Sequence, residues 1–168
     1  SYFKKSEKIN EDIACLHLAF YLASWGMYRG STFLLQKDYL IHMPAIKLII
    51  KEGDNLRNIN FSKKENNNEI EKILKLVKLI KNCYTDNIIK VNGKKKKITV
   101  SDILVSKILL GTLGCVPAYD RYFKEGLKKY FKKEYKGKLT LNKNSLLLII
   151  NFYKEHEEEF NKIQKEVK

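Results

Sequence analysis

The chain has 168 residues, 44% hydrophobic and 31% charged, which suits one folded domain with a real core and excludes a disordered chain. Its 33 lysines and arginines outnumber 19 acids, and the resulting charge of +14 favours anionic partners, nucleic acid first among them. No apolar run approaches the roughly 18–20 residues that span a bilayer, so no membrane segment is expected.

No signal-peptide pattern opens the chain. Cys15, Cys83 and Cys115 are scattered and form no CxxC pair, which fits reduced thiols used as core filler better than a disulfide framework or a zinc site. A cytoplasmic protein with no cofactor and no metal is expected.

In chain order, residues 1–10 read as an irregular lead-in. Asn10 is a good N-cap, and Glu11 and Asp12 suit the first turn of a helix running to about Tyr28. Ile13, Leu16, Phe20, Ala23 and Met27 recur at three- and four-residue steps and predict its buried face. After Gly30, Ser31 or Thr32 can cap a short helix, and Pro44 suits the start of another that Gly53 closes. Residues 54–68, rich in Asn and Lys, predict a long exposed loop.

A helix from about Asn68 to Tyr84 follows, with Ile70, Ile73, Leu74, Val77 and Ile80 inward. Asn92-Gly93 is the preferred pair of a two-residue hairpin turn, so residues 88–100 predict a small exposed hairpin or an extended loop. Thr99 then caps an apolar helix that Gly111 and Gly114 end. Pro117 starts the next, with Tyr119, Tyr122, Phe123, Leu127, Tyr130 and Phe131 on its apolar stripe and Gly137 closing it. Asn142 or Asn144 caps a last helix, buried through Leu146, Leu147, Ile150, Tyr153, Phe160 and Ile163. The expected fold is all-α, a single bundle of six or seven helices over residues 1–168.

Charge is concentrated as well as abundant. Residues 94–138 hold 13 Lys or Arg against four acids, whereas residues 139–168 hold five of each. Lys94, Lys95, Lys96, Lys97, Lys124, Lys128, Lys132 and Lys133 are the candidate nucleic-acid contacts, with neighbouring rings available to stack on bases. An amphipathic helix with rings inside and lysines in water accounts for the same pattern. Only Arg29, Arg57 and Arg121 are arginines, and in so Lys-rich a chain a retained Arg suggests that its planar fork is wanted.

Two constellations stand out. Lys107 and Asp120 flank the glycine-bearing break and are the candidate catalytic pair, nucleophile and activator; Asp120 also suits a helix cap, and Lys107 a solvated face. His17, Trp25, Arg29 and Gln36 lie together in sequence, and with Arg121 and Tyr122 they are candidate ligand-binding residues. Arg29 and Arg121 are suited to anionic oxygens and Trp25 to stacking or core filling. A lone histidine on a mostly apolar helix, such as His17, is more often a hydrogen-bonded core residue than a base or ligand, and His42 and His156 have no spaced partners for a metal.

The segment VPAYDRYF with Lys107 resembles the Pro-Val-Asp region of helix-hairpin-helix DNA glycosylases over about twenty residues, which implies lyase-type chemistry. Its order departs from theirs, because Lys107 precedes the glycines. HLAFYLASWGMYRGSTFLLQKDY and SKILLGTLGCVPAYDRYF together resemble an uncharacterised family of bacterial proteins, covering about a quarter of the chain. That resemblance implies that the two stretches belong together and carries no activity. The expected function is binding of nucleic acid, DNA or RNA, through the basic region and an Arg/Asp-lined cleft. The alternatives are the Lys107/Asp120 enzyme and a regulatory subunit whose basic patch meets an acidic protein.

Overall fold

The computed structural model describes residues 9–30, 32–57, 59, 67–85, 87–91, 93–131 and 139–166, without the side chains of residues 88, 90, 91 and 96. Among the described residues it is an all-α bundle of seven helices with one β-hairpin. The helices are α1 (Glu11–Ser24), α2 (Met43–Glu52), α3 (Asn67–Thr85), α4 (Asp102–Thr112), α5 (Arg121–Tyr130), α6 (Lys143–Glu155) and α7 (Glu157–Glu166). The hairpin pairs β1 (Ile88–Val91) with β2 (Lys94–Lys97), Val91 opposite Lys94, and Gly93 takes the positive φ of 76° that its turn demands.

One buried cluster draws on α1, α2, α3, α4 and α6. The face of α3 is close to its reading: Ile70, Ile73, Val77 and Ile80 are buried, joined by Leu76 and Tyr84. The face of α1 is not. Its buried side chains are Ala14, Cys15, Leu18 and Leu22, while Ile13, Leu16, Phe20 and Ala23 face outward. Apolar residues lie around most of this helix, so periodicity alone could not choose the inward side.

Helix α1 also stops before Tyr28. Gly26, at φ 68°, closes it with the paired bonds of a Schellman turn, Gly26 N–H to Ala23 O (2.8 Å) and Met27 N–H to Leu22 O (2.9 Å). The chain from Phe33 to His42 forms two short 3-10 turns, Phe33–Gln36 and Tyr39–His42, in place of one helix; Thr32 makes no side-chain cap, and Ser31 lies outside the described residues. The expected loop from 54 begins as a 3-10 turn, Asp54–Leu56, with Leu56 buried. Arg57 there donates from Nη1 to the Thr112 carbonyl at the end of α4 (3.4 Å), which accounts for one of the three arginines structurally.

Ser101, not Thr99, caps α4, accepting from Leu104 N–H at 3.2 Å. Asp102 is thereby released to bind Lys81 Nζ (2.6 Å) and Leu141 N–H (2.9 Å), tying α3 and the start of α6 to α4. Burial raises the Asp102 carboxyl, but those two hydrogen bonds and the Lys81 charge outweigh it, so its pKa is lowered. Gly111 lies within α4, where an added Cβ would sit 2.4 Å from the Tyr21 ring; the glycine lets α1 and α4 approach.

Pro117 does not start a helix. The chain stays non-helical to Asp120, whose carboxylate accepts from Phe123 N–H (2.9 Å) and caps α5. Tyr119, just before it, is fully buried between Ser106 Oγ, which takes its N–H (2.8 Å), and Ser145 Oγ at its hydroxyl (2.8 Å). Asn142 and Ser145 form a capping box at α6. The last helix is in fact two, parted at His156, and Phe160 and Ile163 on α7 are exposed rather than buried. The region holding Gly137 lies outside the described residues. Among the described residues no helix is long and apolar enough to cross a membrane.

Candidate functional site

The end of α1 and the middle of α4 meet at Lys107. This residue is only 5% exposed, with Nζ 4.7 Å from the centre of the Trp25 ring and 3.4 Å from the Trp25 carbonyl oxygen. A lysine on the inner side of an apolar helix is forced there by its neighbours, since Leu104, Ile108 and Leu109 share the core. Burial lowers the Lys107 pKa below the ordinary lysine value; the Asp120 carboxylate opposes that effect and the Arg29 cation adds to it. Trp25, Arg29 and Asp120 are therefore within electrostatic or direct reach of the Lys107 amine.

The local geometry explains how they gather. The Schellman turn at Gly26 reverses the chain, and the Arg29 guanidinium folds back over Gly26, where a Cβ would lie 2.9 Å from it. Tyr21 packs edge-on to Trp25, centroids 6.1 Å apart, and fills the gap above Gly111. Asp120 is held by its capping bond. The arrangement can present a desolvated amine and an exposed guanidinium beside an indole face, a donor set suited to an anionic or carbonyl-bearing group.

Arg121 and Tyr122 face solvent. Arg121 is solvent-exposed and donates from Nε to Glu125 one turn along α5 (2.8 Å), so its fork serves its own helix. Tyr122 departs from the apolar stripe expected for it: its side chain is 80% exposed. Lys128 and Lys129 are exposed on the same helix, and Lys124 is half-buried, its charge acting on Asp102. Lys132 and Lys133 lie outside the described residues. His17 is on the exposed side of α1.

On the hairpin, Lys94, Lys95 and Lys97 are exposed, while the side chain of Lys96 is not among those described. Lys97 also borders a cleft of about 290 Å³ between β2, the start of α4 and the Met27–Leu34 segment, floored by Phe33, Leu34, Ile98 and Leu104. Thr32 lines this cleft, and its hydroxyl is buried with no hydrogen-bond partner among the described residues.

The polar relay around His42 was not legible beforehand. His42 is fully buried, its Nε2 2.7 Å from Tyr28 Oη and its Nδ1 2.8 Å from Tyr84 Oη. Burial lowers its pKa to about 4, so the ring is neutral and one tyrosine donates while the other accepts. Burial likewise pushes Tyr28 up to about 12. A histidine just ahead of an apolar helix was the available signal, but its partners lie 14 and 42 residues away. Burial also raises the Cys15 thiol to about 11 and Cys115 to about 12, which makes both poor nucleophiles. Among the described residues, no group of three or more His, Cys, Asp or Glu is placed to hold a metal ion. No family model, curated protein or solved structure matches this chain.

Proposed function

We propose that the protein binds nucleic acid, with the outward face of α5 as the principal contact and the lysine hairpin as a second. The observation that carries this reading is Tyr122: an aromatic ring 80% exposed on a helix that also presents Arg121, Lys128 and Lys129 to solvent. Exposed rings among cations stack bases while the cations track phosphates, and such a surface favours unpaired strands. Gly126, one turn beyond Tyr122, leaves open space beside the ring.

A chain of net charge +14 is expected to bind any polyanion, so the test must separate stacking from charge. Fluorescence anisotropy with a single-stranded oligonucleotide and with heparin makes that separation. Tyr122→Ala should weaken the oligonucleotide and leave heparin unchanged. Equal loss on both, or loss on neither, removes the reading. In the latter case the basic surface fits an acidic protein partner instead.

The second reading rests on Lys107. A buried amine of lowered pKa beside Asp120 and Arg29 is suited to attack a carbonyl, forming an imine with loss of water. Incubation with DNA carrying an abasic aldehyde and then borohydride would trap a protein–DNA adduct. Absence of the adduct, or its persistence in Lys107→Ala, ends this proposal.

A further inference from the structure

We infer that the outward face of α1 is the seat of a second copy of this chain, packed across a two-fold axis with the two helices antiparallel. Helix α1 has two apolar sides, and the core uses only one. On the other, Ile13 is 41% exposed, Leu16 40% and Phe20 65%, and Ala23 is exposed with them. Positions 13, 16, 20 and 23 alternate steps of three and four, the spacing of a seam between packed helices. A helix apolar on both sides belongs between two partners, and among the described residues only one side has its partner.

The shape of the face points to itself as partner. Phe20 projects beside a groove of about 160 Å³ lined by Leu16, Ala19, Phe20, Ala23 and Tyr28, so a knob and a hollow built on two alanines lie side by side. A two-fold rotation places each Phe20 over the alanine hollow of its partner, which is the self-complementarity an isologous contact requires.

Charge supports the same occupant. From Ile9 to Tyr28 there is no lysine or arginine, in a chain holding 33. Two bodies of charge +14 repel each other over most of their surfaces, and this helix adds no cation of its own to a contact, the nearby Lys47 being paired with Glu11. It is also a poor surface for nucleic acid. Glu11 is paired with Lys47 of α2 at 3.5 Å; parallel helices would set Asp12 against its own copy, whereas antiparallel helices bring it toward the end carrying Arg29.

Sedimentation velocity over a range of protein concentrations tests the proposal. The wild type should show a monomer–dimer equilibrium. Phe20→Asp should raise the dimer dissociation constant by ~30-fold or more, as loss of a central aromatic anchor does. Ile163→Asp, another exposed apolar position, on α7, should not shift it. Far-UV circular dichroism confirms that each variant is folded, and Phe20→Ser serves if the aspartate is not tolerated. A wild type that stays monomeric at its highest soluble concentration overturns the proposal, as does a dimer unaffected by both Phe20 variants. A monomer that instead sediments with phosphatidylcholine vesicles gives the face to a lipid surface and overturns it equally.

Discussion

Lys107 and Trp25, 82 positions apart in the chain, are joined twice: the amine lies 4.7 Å from the indole centre and 3.4 Å from the indole residue's own carbonyl oxygen. The ring attracts the ammonium through its π face, and the carbonyl accepts one of its three donors. Burial still works against the charge, so Lys107 is held at a cost to folding.

That cost is measurable. The folded-state pKa of Lys107 lies below the ordinary 10.5, so between the two values the unfolded chain binds more protons. The penalty is full below that window and fades as pH rises through it. Lys107→Met keeps the length and removes the charge. At neutral pH it should unfold at the same or a higher denaturant concentration, by up to about 1–2 kcal/mol. The gap should narrow as pH approaches 10.5. A clear loss of stability at pH 7 would mean that the Trp25 contact outweighs desolvation.

His42 sets the acid limit. Its folded pKa of about 4 lies below the ordinary 6.5, so stability is retained above 6.5 and lost as pH falls toward 4. The loss across that interval should be about 3 kcal/mol, since each tenfold difference in proton affinity is worth about 1.4 kcal/mol. Urea denaturation at stepped pH measures it. His42→Gln, which has no titrating ring, should flatten the curve over the same interval.

Gly111 should resist substitution. Alanine is worth about 1 kcal/mol more than glycine inside a helix, yet its Cβ would lie 2.4 Å from Tyr21 Cε1. Overpacking should dominate, and Gly111→Ala should lower stability by about 1–3 kcal/mol. Adding Tyr21→Ala to that variant should cost less than Tyr21→Ala alone, which thermal melts of the double-mutant cycle would read.

Tyr122 should separate binding from folding. An 80% exposed ring contributes little to the core, so Tyr122→Ala should leave the melting temperature unchanged. It should cost about 1–3 kcal/mol in single-strand affinity, the usual worth of one stacked base. Lys128→Gln with Lys129→Gln should instead flatten the dependence of affinity on salt, because each phosphate contact contributes about 0.7 to the slope on single strands.

Much of the helix content and several ends were legible in the sequence. Asn10 caps α1, Asn142 caps α6, Gly93 turns the hairpin, and Ile70, Ile73, Val77 and Ile80 mark the inner face of α3. These follow from local rules: a side chain bonding the backbone two or three residues on, a φ that glycine tolerates, or a 3.6-residue period with polar residues opposite. The face of α1 lacked that contrast, because apolar residues occur on both its sides, and only packing against α2, α4 and the Tyr39–His42 turn decided which side went in. Tyr122 followed the apolar period of α5 and was nonetheless left outside, since no element among the described residues covers its ring. Residue type proposed Lys107 and Asp120, but the desolvation that sets the amine apart, and the meeting of Trp25 and Arg29 with it, come from packing between segments about 80 residues apart. Local chemistry determines where a chain turns; long-range packing decides which of its charges lose their water, and that loss sets this lysine apart from the other lysines whose side chains are described.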